Sequence, residues 1–131
     1  MVGLDTNLLV RFLTRDDPAQ AAVAGRVMAS LTPEAPGFLA REVVVELVWV
    51  LERAYGFGRA EVAGALDGLL EARELVIEAG ERVALAAERY RRGGPGFADQ
   101  MILLAGREAG CAATLTFDAT AARAPEGRLA E

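Results

Sequence analysis

Short apolar runs alternate with longer amphipathic stretches along this chain, and this alternation limits the fold more than any other feature of the sequence. The runs have the length and composition of strands, and the stretches between them repeat apolar residues at helical spacing. Strands that alternate with helices are typical of parallel sheets. The sequence therefore predicts a single three-layer α/β domain over residues 1–131, with a central parallel sheet flanked by helices.

The boundaries of these elements follow from turn and cap residues. Asp17 and Pro18 are typical of a helix start, and Gly56-Phe57-Gly58 is typical of a helix end. Besides a first strand and helix around Asp5, we predict helices over residues 18–31, 41–55, 59–71, 81–92 and 98–109, and strands over residues 38–39, 74–78 and 112–116. The tail from residue 125 has no clear pattern, and Leu129 belongs either to an edge strand or to no element.

The first apolar run ends at Asp5, directly before a helix whose apolar face begins at Leu8 and Leu9. Asp5 is therefore expected at the carboxyl end of a strand, which is where open parallel sheets bind ligands. Aspartate, threonine and asparagine are also common helix caps, so Asp5-Thr6-Asn7 could simply start the helix. The residue alone does not decide between a cap and a catalytic group.

Glu46 interrupts the most apolar stretch of the sequence, between Val43 and Leu51. A helix with apolar residues on several sides is expected to be largely buried, and a buried carboxylate needs a compensating partner. The local arginines, Arg41 and Arg53, lie outside the i±3 and i±4 spacing that pairs side chains on a helix. Glu46 is therefore either a functional carboxylate or one member of a structural salt bridge.

Asp99 and Asp118 complete an acidic set. Asp99 lies in the first turn of an apolar helix, where its charge suits the helix dipole, and Asp118 follows the last clear strand, where it could cap a short helix. With Asp5 and Glu46, they place two acids at strand ends and two on helices that pack against the sheet. Four such carboxylates could converge on one cleft and bind Mg²⁺ or Mn²⁺, which prefer oxygen ligands.

Missing residue types narrow the chemistry further. The chain has no histidine, and all 14 of its basic residues are arginine. These absences exclude histidine-based acid-base catalysis, His-ligated zinc, the lysine of phosphate-binding loops and Schiff-base chemistry. The lone Cys111 excludes an internal disulfide, and its apolar context predicts burial. A catalytic function must therefore rely on carboxylates, with a metal ion.

The overall composition favours a cytoplasmic protein with partners. The N-terminus lacks the pattern of a signal peptide, and no apolar run reaches the length that spans a bilayer, so no membrane is expected. The apolar fraction of 53% is high, so we expect part of the apolar surface to bind a partner or a second copy. The net charge of −5 is unusual for a nucleic-acid binder, although metal ions bound to an acidic cluster would offset it.

The acidic residues and their neighbours resemble a known set of motifs. Leu4-Asp5-Thr6-Asn7, Glu46 within its apolar helix, Phe97-Ala98-Asp99 and Thr116-Phe117-Asp118 are similar to the four motifs of PIN domains, specifically of the VapC-type toxins of bacterial toxin-antitoxin pairs. The resemblance covers nearly the whole chain. No single motif is specific, but the four in this order make a fairly strong match.

The resemblance implies a Rossmann-like sheet with strand order near 3-2-1-4-5 and a Mg²⁺- or Mn²⁺-dependent endoribonuclease site. It implies homodimers and a small antitoxin protein as partner. The residues that it implies for catalysis and metal binding are Asp5, Glu46, Asp99 and Asp118, with Thr6, Asn7 and Thr116 in support. Relatives often carry one more acid after the last motif, whereas Ala119-Thr120-Ala121 follow here, so the number of metal ions stays open.

Other interpretations compete with this one. An Asp-Thr-Asn sequence after a strand also occurs in haloacid-dehalogenase phosphatases and response-regulator receivers, but both rely on a lysine that this chain lacks. An RNA-processing PIN nuclease outside toxin-antitoxin biology and a non-catalytic metal-binding or regulatory module stay open. Arg89, Arg91 and Arg92 either contact RNA phosphates or form a solvated helix end.

Overall fold

Helices and short parallel strands follow one another in the order that the sequence pattern predicts. The computed structural model describes all residues, Met1–Glu131. In chain order it contains β1 (Val2–Gly3), α1 (Thr6–Thr14), α2 (Pro18–Ser30), β2 (Gly37–Leu39), α3 (Arg41–Tyr55), α4 (Arg59–Glu71), β3 (Leu75–Ile77), α5 (Gly80–Arg92), α6 (Phe97–Glu108), β4 (Thr114–Thr116), α7 (Ala119–Ala122) and β5 (Gly127–Leu129). The α/β class is confirmed, and Leu129 belongs to a strand.

The strands form two parallel sheets. The chain divides into a first unit, Met1–Gly80, and a second unit, Glu81–Glu131. The first unit contains a three-stranded sheet in the order β1-β2-β3, and the second contains a two-stranded sheet of β4 and β5. All of these pairs are parallel. The single five-stranded order 3-2-1-4-5 is not confirmed, because the strands form two sheets, and the organisation as one domain stays a prediction.

Local signals explain where the helices begin and end. Asp17 caps α2, since its carboxylate accepts a hydrogen bond from the backbone N–H of Gln20 at 3.1 Å, and Pro18 occupies the first helical position. Gly56 ends α3 with a φ of 66°, a left-handed conformation that favours glycine. Its N–H donates to the carbonyl of Glu52. The predicted bounds of α3 and α4 are therefore confirmed to the residue.

The buried face of α3 differs from the predicted one. Helical spacing in the sequence predicts one apolar face formed by Val43, Leu47, Val50, Leu51 and Ala54. The buried residues are instead Val44, Leu47, Val48 and Leu51, and Ala54 is exposed. Leu47 and Leu51 belong to both faces, so the helix is rotated by part of a turn from the expected orientation. Apolar residues on nearly every side of this helix made several orientations plausible from the pattern alone.

The C-terminal tail contributes an ion-pair centre to the second unit. Glu126, which is only 8% exposed, accepts two hydrogen bonds from Arg89, at 2.7 and 3.0 Å, and one from Arg107 at 3.2 Å. A bidentate pair of this kind is among the strongest polar contacts available to a protein. The hydrogen bonds from Arg89 hold the pKa of the Glu126 carboxyl below its ordinary value of 4.5. The tail is thus structural, although its sequence showed no pattern.

Several large apolar side chains are exposed, as the high apolar fraction led us to expect. Phe117 is 88% exposed, Leu115 59%, Ile102 58% and Trp49 57%. No helix combines the length and the apolar character needed to cross a membrane. Cys111 is exposed, so its predicted burial is wrong: it follows a turn at the end of α6 and does not belong to β4, which begins at Thr114.

We expect Glu126→Gln to destabilise the second unit, because the neutral amide cannot pair bidentately with Arg89. The expected loss in the free energy of unfolding is about 1.5–3 kcal/mol at neutral pH. Since the folded protein lowers the pKa of Glu126, this contribution is complete above pH 4.5 and is lost as the pH falls through the lowered value. Chemical denaturation of both proteins across the acidic range measures the difference.

Glu88→Gln provides the matched control for that measurement. Glu88 pairs with Arg91 and Arg92 on the exposed surface of α5, at 2.9 and 3.2 Å. Because exposed pairs contribute less than about 1 kcal/mol, the control should remain close to the wild type. Equal losses in the free energy of unfolding for Glu126→Gln and Glu88→Gln would contradict the larger contribution that we expect from Glu126.

Candidate active site

Asp5 lies two residues after the end of β1 and caps α1. Its Oδ1 accepts a hydrogen bond from the N–H of Thr6 at 2.8 Å, with the extended backbone conformation typical of a cap. The side chain is exposed, and Oδ2 makes no hydrogen bond. Capping therefore uses one oxygen and leaves the other available for a ligand.

Glu46 is exposed, which corrects the prediction of a buried carboxylate. Rotation of α3 places Glu46 opposite the buried stripe formed by Val44, Leu47 and Leu51. Its partner is a hydroxyl: Oγ1 of Thr6 donates a short hydrogen bond to Oε1 of Glu46. The predicted need for a compensating cation therefore does not arise from burial.

Neither local arginine pairs with Glu46. The Arg41 side chain lies 3.8 Å from the Glu78 carboxylate, and the Arg53 guanidinium lies 5.7 Å from the ring centre of Trp49 in a cation–π contact. The structural salt bridge considered for Glu46 is therefore absent. The first unit instead brings Asp5, Thr6 and Glu46 together, linked through the buried Thr6, and leaves Asn7 exposed beside them in the first turn of α1.

Asp99 occupies the third position of α6. It is partly exposed, and neither carboxylate oxygen makes a hydrogen bond. The helix begins after Gly96, which has no side chain to cap it, so the charge of Asp99 is the only acidic charge in the first turn. A favourable interaction with the helix dipole explains the position of this residue but leaves its oxygens unused.

Asp118 caps α7 at the end of β4. Its Oδ1 accepts hydrogen bonds from the N–H groups of Thr120 and Ala121 at 2.8 and 3.2 Å, and its own N–H donates to Oγ1 of Thr116 at 3.0 Å. Oδ2 makes no hydrogen bond. The helix start thus fixes the orientation of a carboxylate that retains one free oxygen, while Thr116 binds the backbone of the same residue.

The three arginines proposed to contact phosphates all have carboxylate partners. Arg89 is bound by Glu126, and these hydrogen bonds raise the pKa of its guanidinium. Arg91 and Arg92 both pair with Glu88. The side chain of Arg92 is 76% exposed, the most of the three, so Arg92 is the best placed to meet a solvent-borne anion.

Two polar residues of the second unit were missed by the sequence analysis. Glu126 gave no signal, because its partner Arg89 is 37 positions away. Gln100 did give one: it is polar, lies beside Asp99 in an otherwise apolar stretch, and is 4% exposed. Its side-chain Oε1 is buried without a hydrogen-bond partner.

The chemistry of the four predicted ligands fits a divalent cation such as Mg²⁺ or Mn²⁺. All are carboxylates, Asp5 and Asp118 each keep one oxygen without a hydrogen bond, and Asp99 keeps two. Within neither unit do three acidic side chains approach closely enough to hold a cation. Each unit contains two of the four predicted ligands, and their convergence on one ion stays a prediction.

Comparison with known proteins gives one family. A model of the PIN domain matches residues 2–127, which is nearly the whole chain and includes all four acidic residues. No curated protein matches the chain.

We expect the Thr6–Glu46 hydrogen bond to appear as a coupling energy of about 1 kcal/mol in a double-mutant cycle. Thr6→Val keeps the shape of the buried side chain and removes the donor, and Glu46→Met keeps the length of the other and removes the acceptor. Urea unfolding of the wild type, the two single variants and the double variant measures the coupling.

The control cycle combines Glu46→Met with Asn7→Ala. Asn7 is exposed and makes no side-chain hydrogen bond, so these two changes should add to within about 0.5 kcal/mol. Additivity of Thr6→Val with Glu46→Met would show that the hydrogen bond does not hold Glu46 in solution.

Proposed function

This chain belongs to the PIN domain family, whose members are generally metal-dependent nucleases, and from that membership we propose that it is a Mg²⁺- or Mn²⁺-dependent endoribonuclease. Asp5, Glu46, Asp99 and Asp118 are its proposed catalytic and metal-binding residues. Thr6, Asn7 and Thr116 support them.

The hydrogen bond between Thr6 and Glu46 is the observation that carries this proposal. The two residues belong to the first and second motifs, which are 40 positions apart in the sequence. Glu46 is exposed on a helix whose other face is buried, so folding alone does not require a carboxylate there. A buried hydroxyl that orients an exposed carboxylate beside Asp5 is expected of a binding site.

The available side chains limit how such a nuclease works. The chain has neither histidine nor lysine, so carboxylates must hold the reacting groups. A divalent cation, when bound, supplies a Lewis acid that activates water and stabilises the leaving oxygen. Thr6 holds Glu46, and the N–H groups at the start of α7 hold Asp118. Among the arginines, Arg92 is our candidate for steering phosphates, since Arg89 is bound by Glu126.

We expect RNA cleavage to require Mg²⁺ or Mn²⁺ and to stop in EDTA. Glu46→Gln and Asp99→Asn should each lower the cleavage rate by at least about 100-fold. Loss of a residue that only hydrogen-bonds a metal ligand costs up to about 100-fold, so loss of the ligand itself should cost at least as much. Single-stranded and hairpin RNAs, incubated with purified protein and each cation in turn, provide the assay. Cleavage that persists in EDTA would contradict the proposal.

Glu34→Gln is the matched control. Glu34 is an exposed carboxylate in the loop before β2, outside the motifs, so its variant should cleave like the wild type. Thermal melts add a second measurement: Mn²⁺ should raise the melting temperature of the control and raise that of Glu46→Gln less. An equal rise in the melting temperatures of the two variants would show that Glu46 does not contribute to the metal site.

The biological role that we propose is that of a toxin with a cognate antitoxin protein. Four motifs in the VapC-type order and the exposed apolar side chains support this role. An RNA-processing nuclease would use the same residues, and a non-catalytic module would bind the metal without cleaving RNA. A short reading frame beside this one, whose product suppresses cleavage, distinguishes the toxin from both.

We also propose a homodimer, supported by the exposure of Trp49, Ile102, Leu115 and Phe117. A two-fold dimer is the commonest closed assembly. Sedimentation at micromolar concentration should give about twice the chain mass of 13.9 kDa. A single species at the chain mass over that range would contradict the dimer.

A further inference from the structure

A small cleft in the second unit combines charged, amide and proline side chains. Its volume is about 310 Å³, and its lining residues are Arg89, Arg92, Pro95, Gln100, Ala124 and Pro125. This volume lies at the lower end of the range of ligand pockets, which suits a group of the size of one nucleobase. None of the lining residues belongs to the acidic set.

Gln100 is the unexplained member of this cleft. The residue is 4% exposed, and its Oε1 is buried without a hydrogen-bond partner. An unsatisfied buried acceptor is unfavourable, and most native proteins avoid it. A glutamine amide carries both an acceptor and donors, so it can pair with a ligand edge that presents both kinds of group.

Arg89 gives the cleft a rigid planar surface. Two nitrogens of its guanidinium bind the two oxygens of Glu126, at 2.7 and 3.0 Å, which fixes the plane of the group. A guanidinium held in this way can stack on an aromatic ring through the face of its plane. Single-stranded RNA is commonly recognised by stacking of its bases on such planes.

The two arginines of the cleft differ in how their charges are compensated. Arg89 pairs bidentately with Glu126, whereas Arg92 shares Glu88 with Arg91, so positive charge remains at Arg92. A neutral group is therefore favoured beside Arg89, and an adjoining phosphate beside Arg92. A purely apolar ligand would leave Oε1 of Gln100 without a hydrogen-bond partner.

We propose that this cleft binds one unpaired base of the RNA substrate, with Gln100 hydrogen-bonding the base edge and Arg89 stacking on its face. The proposal rests on the proposed ribonuclease function and adds a determinant of sequence preference to it. Adenine is the preferred base, because a glutamine amide pairs with its N6 and N7 through one donor and one acceptor. Arg92, at the rim, contacts the adjoining phosphate.

The test measures binding without cleavage. Short fluorescein-labelled oligoadenylate and oligouridylate are titrated with protein in EDTA, and fluorescence anisotropy gives both dissociation constants. We expect the wild type to bind oligoadenylate about tenfold more tightly, and Gln100→Met to reduce this preference to about twofold or less. Gln20→Met is the matched control, since Gln20 lies in the first unit and lines no part of the cleft.

Thermal melts separate a binding role from a structural one. If Gln100 serves ligand binding, Gln100→Met should be at least as stable as the wild type, because it removes an unsatisfied acceptor. If that variant fails to fold, the wild type is titrated instead with oligo(7-deazaadenylate), which lacks the N7 acceptor and should bind about as weakly as oligouridylate. A lower melting temperature with an unchanged base preference would overturn the proposal.

Other outcomes distinguish failure of the proposed base site from failure of the proposed ribonuclease function. A wild type that cleaves RNA yet shows no preference for adenylate overturns the base site and leaves the ribonuclease function standing. An adenylate preference that depends on Gln100, in a protein that never cleaves RNA, overturns the ribonuclease function instead. Adenosine monophosphate that competes as strongly as the oligonucleotide would assign the cleft to a free nucleotide and overturn the RNA assignment.

Discussion

Parallel pairing in the first unit determines where its candidate functional residues lie. Since β1, β2 and β3 run in the same direction, their carboxyl ends share one edge of the sheet. Asp5 follows β1 at this edge, and Glu78 follows β3. The Glu78 carboxylate accepts a hydrogen bond from the N–H of Arg41 at 3.0 Å and so holds the start of α3. That helix carries Glu46. The same edge of the sheet therefore helps to position both predicted metal ligands of the first unit, Asp5 and Glu46.

Structural and chemical roles are compatible in these carboxylates because a carboxylate has two oxygens. In Asp5 and in Asp118, one carboxylate oxygen accepts hydrogen bonds at a helix start, and the second oxygen makes none. The sequence presented capping and catalysis as competing explanations, but the geometry lets one residue serve both. A cap fixes the side-chain rotamer before any ligand arrives, and preorganisation of this kind strengthens binding. Capping is therefore no evidence against a role in metal binding.

The sequence predicted local features well and distant contacts poorly. The bounds of α3 and α4 follow from periodicity and flanking glycines, which are local. The orientation of α3 was missed, because apolar residues surround Glu46 and the pattern does not say which side meets the core. The partner of Glu126 could not be found, since nothing in the sequence relates a tail residue to Arg89. Placement of Asp5 and Asp118 after strands was predictable, because strand ends are marked by the end of an apolar run.

The arginines of the second unit bear on how the proposed RNA substrate would be bound. Arg89, Arg91 and Arg92 all pair with carboxylates, although Arg91 and Arg92 share Glu88, so these pairs compensate their charges only in part. Broad electrostatic attraction, which dominates nucleic-acid binding by basic proteins, is therefore weak for a chain of net charge −5. If the proposed function is correct, affinity for RNA would come from short-range contacts: a cation between carboxylates and phosphate, and stacking or hydrogen bonds to bases. A guanidinium held by a carboxylate keeps its planar face for stacking while it loses its long-range charge, and Arg89 has this arrangement.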